Sequence, residues 1–191
     1  MDRVPLDASP AIERDVAAAM VREFDLDLRQ LLFDATNFFT CIDTFSQRFR
    51  LARRDHSKEG RQSLRIVGVA LLVTADFRLL LLHCTYPGNR PDPRILASLA
   101  ADEACRCREV ADGAERVTLV FGKGNNSREN LERVRQGPFR FIGSLVPRHH
   151  PDLLATPSDQ LSSLAEAGLP GVRARRLRRV VFGVECTVLV T

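Results

Sequence analysis

A chain of 191 residues that is 45% hydrophobic and 27% charged has the balance of a globular protein, and its length suits one domain or one domain plus part of another. Its longest apolar run, residues 66–73, is too short to cross a bilayer, and MDRVPLDASP offers no basic segment leading into an apolar one; the expectation is a cytoplasmic protein without a signal peptide. The net charge of +4 is small but unevenly placed: residues 172–191 hold five arginines against Glu185 alone, and residues 47–65 hold seven basic residues against Asp55 and Glu59.

In chain order, Ser9-Pro10 opens a helix, serine capping and proline taking the first helical position. Ile12, Val16, Met20 and Phe24 recur every fourth residue as one apolar stripe. Leu31-Leu32-Phe33 reads as a strand ending at Asp34, and the basic segment 47–65 as a mobile connection. LRIVGVALLV and RLLLLHCTY read as an antiparallel hairpin turning at TADF, and their near-continuous apolar character predicts burial on both faces. After Pro87-Gly88-Asn89 a helix is expected, with Asp92 as cap, Pro93 at its first position, and Ile95, Leu96 and Leu99 on its buried face. ERVTLVF is the next strand and SRENLERVRQ the next helix, Asn126 and Glu129 having the spacing of a capping box. FRFIGSLV gives a further strand, and residues 172–191 alternate as a hairpin pivoting near Gly183. Three strands joined without helices, then alternating helix and strand, predict an α/β fold: an RNase H-like mixed sheet flanked by helices. The expected organisation is a helical lead-in over 1–27, a core over 28–150, and a linker with the start of a β-rich insertion over 151–191.

Two strand ends stand out, Asp34 in LLFDATNFF and Gly122 in LVFGKGNNS. Ligands in such sheets gather at the carboxyl ends of strands, and acids at two such ends would suit a pair of divalent ions. Lys123 does not make a phosphate-binding loop, because only one residue separates its flanking glycines. His149-His150 and Cys105-x-Cys107 lack the paired spacings of a zinc site, and the five scattered cysteines read as reduced thiols. In the tail, alternation puts Arg173 and Arg175 on one side of a strand and Arg176 and Arg178 on the other. Arg53, Arg54, Lys58 and Arg61, together with Arg173, Arg175, Arg176, Arg178 and Arg179, suit contact with phosphate backbones; a solvated surface accounts for either cluster equally well.

The segments LLFDATNFF, HSKEGR, GVALLVT, YPGNRPD, GNNSRENL and FIGSLVP, in that order, resemble the DDE transposases of bacterial insertion sequences, in the IS-four-like group with an RNase H-like catalytic core. The resemblance runs from about Leu28 to the C-terminus. It implies DNA transposition by Mg²⁺-dependent strand cleavage and transfer, with DNA as partner and neither a membrane nor a small-molecule substrate. Asp34 matches the first catalytic acid of that family. Gly122 stands where the second belongs, while Gly124, Asn125 and Asn126 still match the loop, and Asn89 and Asp92 match the PGN…D segment. The third acid belongs to a Tyr…Arg…Glu signature, and the one tyrosine here, Tyr86, lies in another motif. Asp55 also departs from the family pattern, which has glycine before HSKEGR. The resemblance therefore implies a truncated remnant that has lost two of three acids, with Asp34 a lone metal ligand, Mg²⁺ not bound productively, and residual DNA binding. The alternative is a non-enzymatic DNA-binding or regulatory module acting with a full-length transposase.

Overall fold

The computed structural model describes residues 5, 8–42, 50–54, 64–90, 95–96, 117–137 and 139–191. Helix α1 (Ser9–Phe24) leads into strand β1 (Gln30–Thr40), followed by a short β2 (Arg53–Arg54), β3 (Arg65–Thr74), β4 (Leu80–Pro87) and β5 (Val117–Phe121). Helix α2 (Arg128–Gln136), β6 (Phe139–Gly143), the one-turn helix α3 (Pro151–Leu154) and three further strands, β7 (Ser162–Ser163), β8 (Arg173–Val181) and β9 (Val184–Val190), complete the chain. The main sheet has the order β2-β3-β1-β5-β6, with β4 pairing β3 beyond β2. β1 is antiparallel to β3 and parallel to β5, and β5 is parallel to β6, so the sheet is mixed. The predicted α/β class and mixed sheet flanked by helices are what the structure contains. Among the described residues no helix is long and apolar enough to cross a membrane.

β1 does not end at Asp34. It continues for six residues to Thr40, because β3 offers a ten-residue antiparallel ladder from Leu31↔Thr74 to Thr40↔Arg65. Thr36, Phe38, Phe39 and Thr40 are residue types that fit a pleated surface. Nor is β3 buried on both faces. Ile66, Gly68, Ala70, Leu72 and Thr74 are buried and alternate with half-buried Val67, Val69, Leu71 and Val73. The core that Leu31, Phe33, Ala35, Ala70 and Leu72 share with Leu119, Phe121, Leu131 and Val134 lies on one face of the sheet, so period-two alternation separates the two sets. Fully burying Leu131 and Val134 contributes roughly 1.5–3 kcal/mol each. The segment 47–65, expected to be a connection, contains β2, which pairs Arg53 with Ile66 and Arg54 with Arg65.

The stripe on α1 also behaves differently from its pattern. Ile12, Val16 and Phe24 are exposed, and the helix buries Ala17 instead, with Met20 and Val21 partly covered. A strict four-residue repeat advances about 40° per step around a 3.6-residue helix, so its members do not share one narrow buried line. The small Ala17 lets α1 approach β4. There the Glu13 Oε1 accepts the His83 backbone N–H at 2.8 Å and contacts His83 Nδ1, satisfying a donor that β4 would otherwise leave open. Ser9 lies inside the first turn and supplies no cap; Ala8 precedes the helix. Asp25, at φ 47°, ends it in the left-handed conformation.

The tail hairpin forms as its pattern predicts. Phe182 (φ 50°) and Gly183 (φ 82°) both take the left-handed conformation that a two-residue turn between twisted strands requires. Val184 joins the core and Cys186 packs against it, where burial pushes its thiol pKa up. The opposite face of the hairpin leaves Val180 and Leu189 exposed beside Arg176, Arg178, Glu185 and Thr187.

Candidate functional site

β1 is the strand at which pairing changes from antiparallel, toward β3, to parallel, toward β5. The parallel ladder runs from Gln30↔Thr118 to Phe33↔Phe121, and both phenylalanines are buried on the core side. The next residue along each strand is Asp34 on β1 and Gly122 after β5. Neighbouring strands lie about 4.8 Å apart, and residues matched across a ladder point to the same face. A side chain at position 122 would therefore stand beside Asp34, on the face away from the core. The two positions singled out from sequence each follow the last matched pair of adjacent strands, although Asp34 sits mid-strand.

Gly122 has room for such a side chain. Its backbone is extended (φ −74°, ψ 167°), which any residue adopts, and an added Cβ would meet nothing within 4 Å. Neither backbone strain nor crowding calls for glycine here. The same holds at Gly124, whose Cβ would also find open space.

The loop after Gly122 is held in a defined shape. Its first turn closes with Asn125 N–H donating to the Gly122 carbonyl at 3.1 Å and Asn126 N–H to that of Lys123 at 3.3 Å. Asn125 is buried, and its carbonyl accepts from the Asn130 side chain at 2.6 Å. The Asn126 side-chain amide donates to the Ser144 carbonyl and ties the loop to the end of β6. Gly143 makes that approach possible, since a Cβ there would lie 2.7 Å from Asn126 Oδ1 and 3.1 Å from the Phe121 ring. Below the loop, Phe121 and Phe141 stack with centroids 6.0 Å apart. The expected capping box of Asn126 and Glu129 does not form. Ser127 caps α2 by accepting the Asn130 N–H at 3.2 Å, Asn126 is engaged with β6, and Glu129 pairs with Arg133 at 3.2 Å.

Asn89 is an exposed residue of the turn that follows β4. Pattern reading gave no role to its neighbour Gly88, but an added Cβ there would lie 2.5 Å from the Ile66 carbonyl carbon and would overlap its oxygen. Gly68 is similarly required, because the buried Tyr86 ring covers it from the paired strand. Asp92, Lys58 and Arg61 lie outside the described residues, as do Asp55, Glu59, Cys105 and Cys107.

The basic residues divide into two groups. Arg173 donates to the Leu161 carbonyl through Nε (3.1 Å) and Nη2 (2.7 Å), Arg175 reaches Gln160 Oε1, and Arg179 pairs with Asp152, holding that carboxyl below its usual range. These three fasten the segment 152–161 to β8. Arg178 faces Glu185 at 3.4 Å with both side chains largely exposed, an arrangement of little energetic weight. Arg53, Arg54 and Arg176 are exposed.

Among the described residues no three His, Cys, Asp or Glu side chains converge. Mg²⁺ wants near-octahedral oxygen ligands, and a two-ion site needs carboxylates from more than one strand or helix to bridge the metals. Among the described residues, the single exposed carboxylate of Asp34 does not meet that requirement.

No protein-family model and no curated protein matches the chain. Solved structures do. The Mos1 transposase paired-end complex with left transposon end has 9% identity and a TM-score of 0.42, over 74% of this chain and 42% of that one. A piggyBac transposase synaptic complex with hairpin DNA has 11% identity and a TM-score of 0.42, over 81% and 34%. The catalytic domain of Mos1 mariner transposase has 8% identity and a TM-score of 0.41, over 79% and 66%. The chain thus spans less than half the length of the first two. No residue role is taken from these likenesses.

Proposed function

We infer that this chain is a transposase-type domain that has lost its catalytic metal site and retains sequence-independent contact with DNA. The observation that supports the reading is the parallel register of β1 and β5, whose last matched pair, Phe33 and Phe121, immediately precedes Asp34 and Gly122. In the bacterial insertion-sequence transposases that the motifs resemble, these positions hold the first two catalytic acids. Here the second is a hydrogen atom. Phosphoryl transfer depends on positioned charge, and neither water nor a backbone carbonyl replaces the charge of a missing carboxylate.

Residual DNA contact is assigned to the arginines that the fold leaves exposed, Arg53, Arg54 and Arg176. Arg173, Arg175 and Arg179 are already engaged with the segment 152–161. Binding of this kind is carried by released counterions and weakens as salt rises. The same exposed arginines also suit a regulatory role in which the chain binds DNA alongside a complete transposase.

Purified protein mixed with supercoiled DNA and Mg²⁺ or Mn²⁺ tests both parts. The expected result is no nicking, with DNA retardation at low salt that fades at high salt and is reduced by replacing Arg53, Arg54 and Arg176 together with alanine. Metal-dependent nicking that Asp34→Ala abolishes would overturn the reading.

A further inference from the structure

Helix α1 carries a second pattern that its packing leaves unused. Ile12, Val16, Ala19 and Glu23 follow one another at spacings of four, three and four, so they lie along one line of the helix. Ile12 is 48% and Val16 52% exposed, and Ala19 and Glu23 are exposed as well. The helix meets β4 through Ala17 and Glu13, roughly a third of a turn away, so this line is free among the described residues. On its outer flank, at the position before Val16 and the position before Glu23, stand Asp15 and Arg22, both exposed.

We propose that α1 is a self-association surface on which a second copy of this chain lays its own α1 antiparallel. Both shape and charge select that occupant. In an antiparallel pair related by a two-fold axis, Val16 faces Ala19 of the other copy and Ala19 faces its Val16, a large residue against a small one in both central layers. The outer layers set Ile12 against the methylene stem of Glu23. The flanks then bring Asp15 of each copy to Arg22 of the other, giving two symmetric pairs of opposite charge. A parallel pair would put the Asp15–Arg22 flanks of the two copies on opposite sides of the seam and forfeit both pairs. Sequence and exposure therefore favour one orientation, and the site is complementary to itself.

The contact spans about three helical turns, so the dimer is weak and concentration-dependent. Sedimentation of the full chain over a dilution series reads it directly, with far-UV circular dichroism confirming that each variant folds. The parent is expected to shift from monomer to dimer as concentration rises, and Val16→Glu is expected to stay monomeric. Asp15→Arg and Arg22→Asp, each placing like charges together twice, are expected to weaken association by about tenfold or more. The double variant Asp15→Arg with Arg22→Asp restores opposite charges and is expected to recover most of the parent affinity. A parent that is monomeric throughout, a Val16→Glu variant that still dimerises, or a double variant no better than the single ones would each overturn the proposal.

Discussion

Replacing Gly88 with alanine measures how tightly the turn after β4 is pressed against β3. An added Cβ would lie 2.5 Å from both the carbonyl carbon and Cγ1 of Ile66, and would overlap the carbonyl oxygen. Carbon atoms in good contact sit about 3.5–4.0 Å apart, so the turn or the strand must yield by roughly 1 Å or more. Neither yields freely. Ile66 is 1% exposed and is paired on both sides, to Phe39 and to Arg53, while Gly88 N–H donates to the Leu51 carbonyl at 3.1 Å. Overpacking of this kind costs about 1–3 kcal/mol, and weakening the Leu51 bond adds roughly 1 kcal/mol. A loss of about 2–4 kcal/mol in a chain of this length lowers Tm by on the order of 5–15 °C. Gly124→Ala is the control: an added Cβ there meets nothing, and the change should be neutral or stabilise by up to about 1 kcal/mol. Thermal and urea unfolding of the two variants against the parent decide the matter. A Gly88→Ala protein within about 0.5 kcal/mol of the parent would refute the reasoning, because the turn would then not be held as described.

Ser127→Ala removes the α2 cap and should cost about 1 kcal/mol in the same unfolding experiments, whereas Asn126→Ala should free the loop from Ser144 without uncapping the helix. Arg29 lowers the Asp27 pKa to about 2, through its side-chain hydrogen bond first and its backbone N–H second. A carboxyl depressed in the folded state supports stability above its unfolded pKa near 4, and that support is lost as pH falls toward 2. Arg29→Ala should raise the Asp27 titration by NMR only part of the way to the ordinary carboxylate range, because the backbone N–H of residue 29 still donates to it, and should reduce the drop in Tm between about pH 4 and pH 2. The pair is exposed, so the effect on stability should be small.

Much of the fold was legible because most of its strands announce themselves. The β3–β4 hairpin, β5, β6 and the tail hairpin fall where alternation and turn residues put them, and the pivot near Gly183 is where two left-handed residues occur. The errors came where tertiary contacts decide. Asp34 looks like the end of a strand because aspartate disfavours strands, yet the ladder with β3 carries β1 through it. The apolar stripe of α1 looks like a buried face, yet the helix docks through Ala17 and the Glu13–His83 contact, neither of which stands out in the pattern. Capping residues were misassigned by one position, since Asn126 and Ser127 are both good caps and only the approach of β6 shows which is engaged elsewhere. For the site, the motifs singled out Asp34 and Gly122 in two separate segments. That each follows the last matched pair of neighbouring parallel strands, with open space at the glycine, required the structure.

Divalent-ion binding by Gly122→Asp, compared with the parent and with Gly122→Asp carrying Asp34→Ala, tests the central claim most directly. Titration with Mn²⁺ followed by calorimetry suits this comparison, and Mg²⁺ competition identifies the site as one of hard oxygen ligands. The account predicts that Gly122→Asp binds Mn²⁺ at least about tenfold more tightly than the parent, and that removing Asp34 abolishes the gain. No gain at Gly122→Asp, or a parent that already binds as tightly through Asp34, would contradict it.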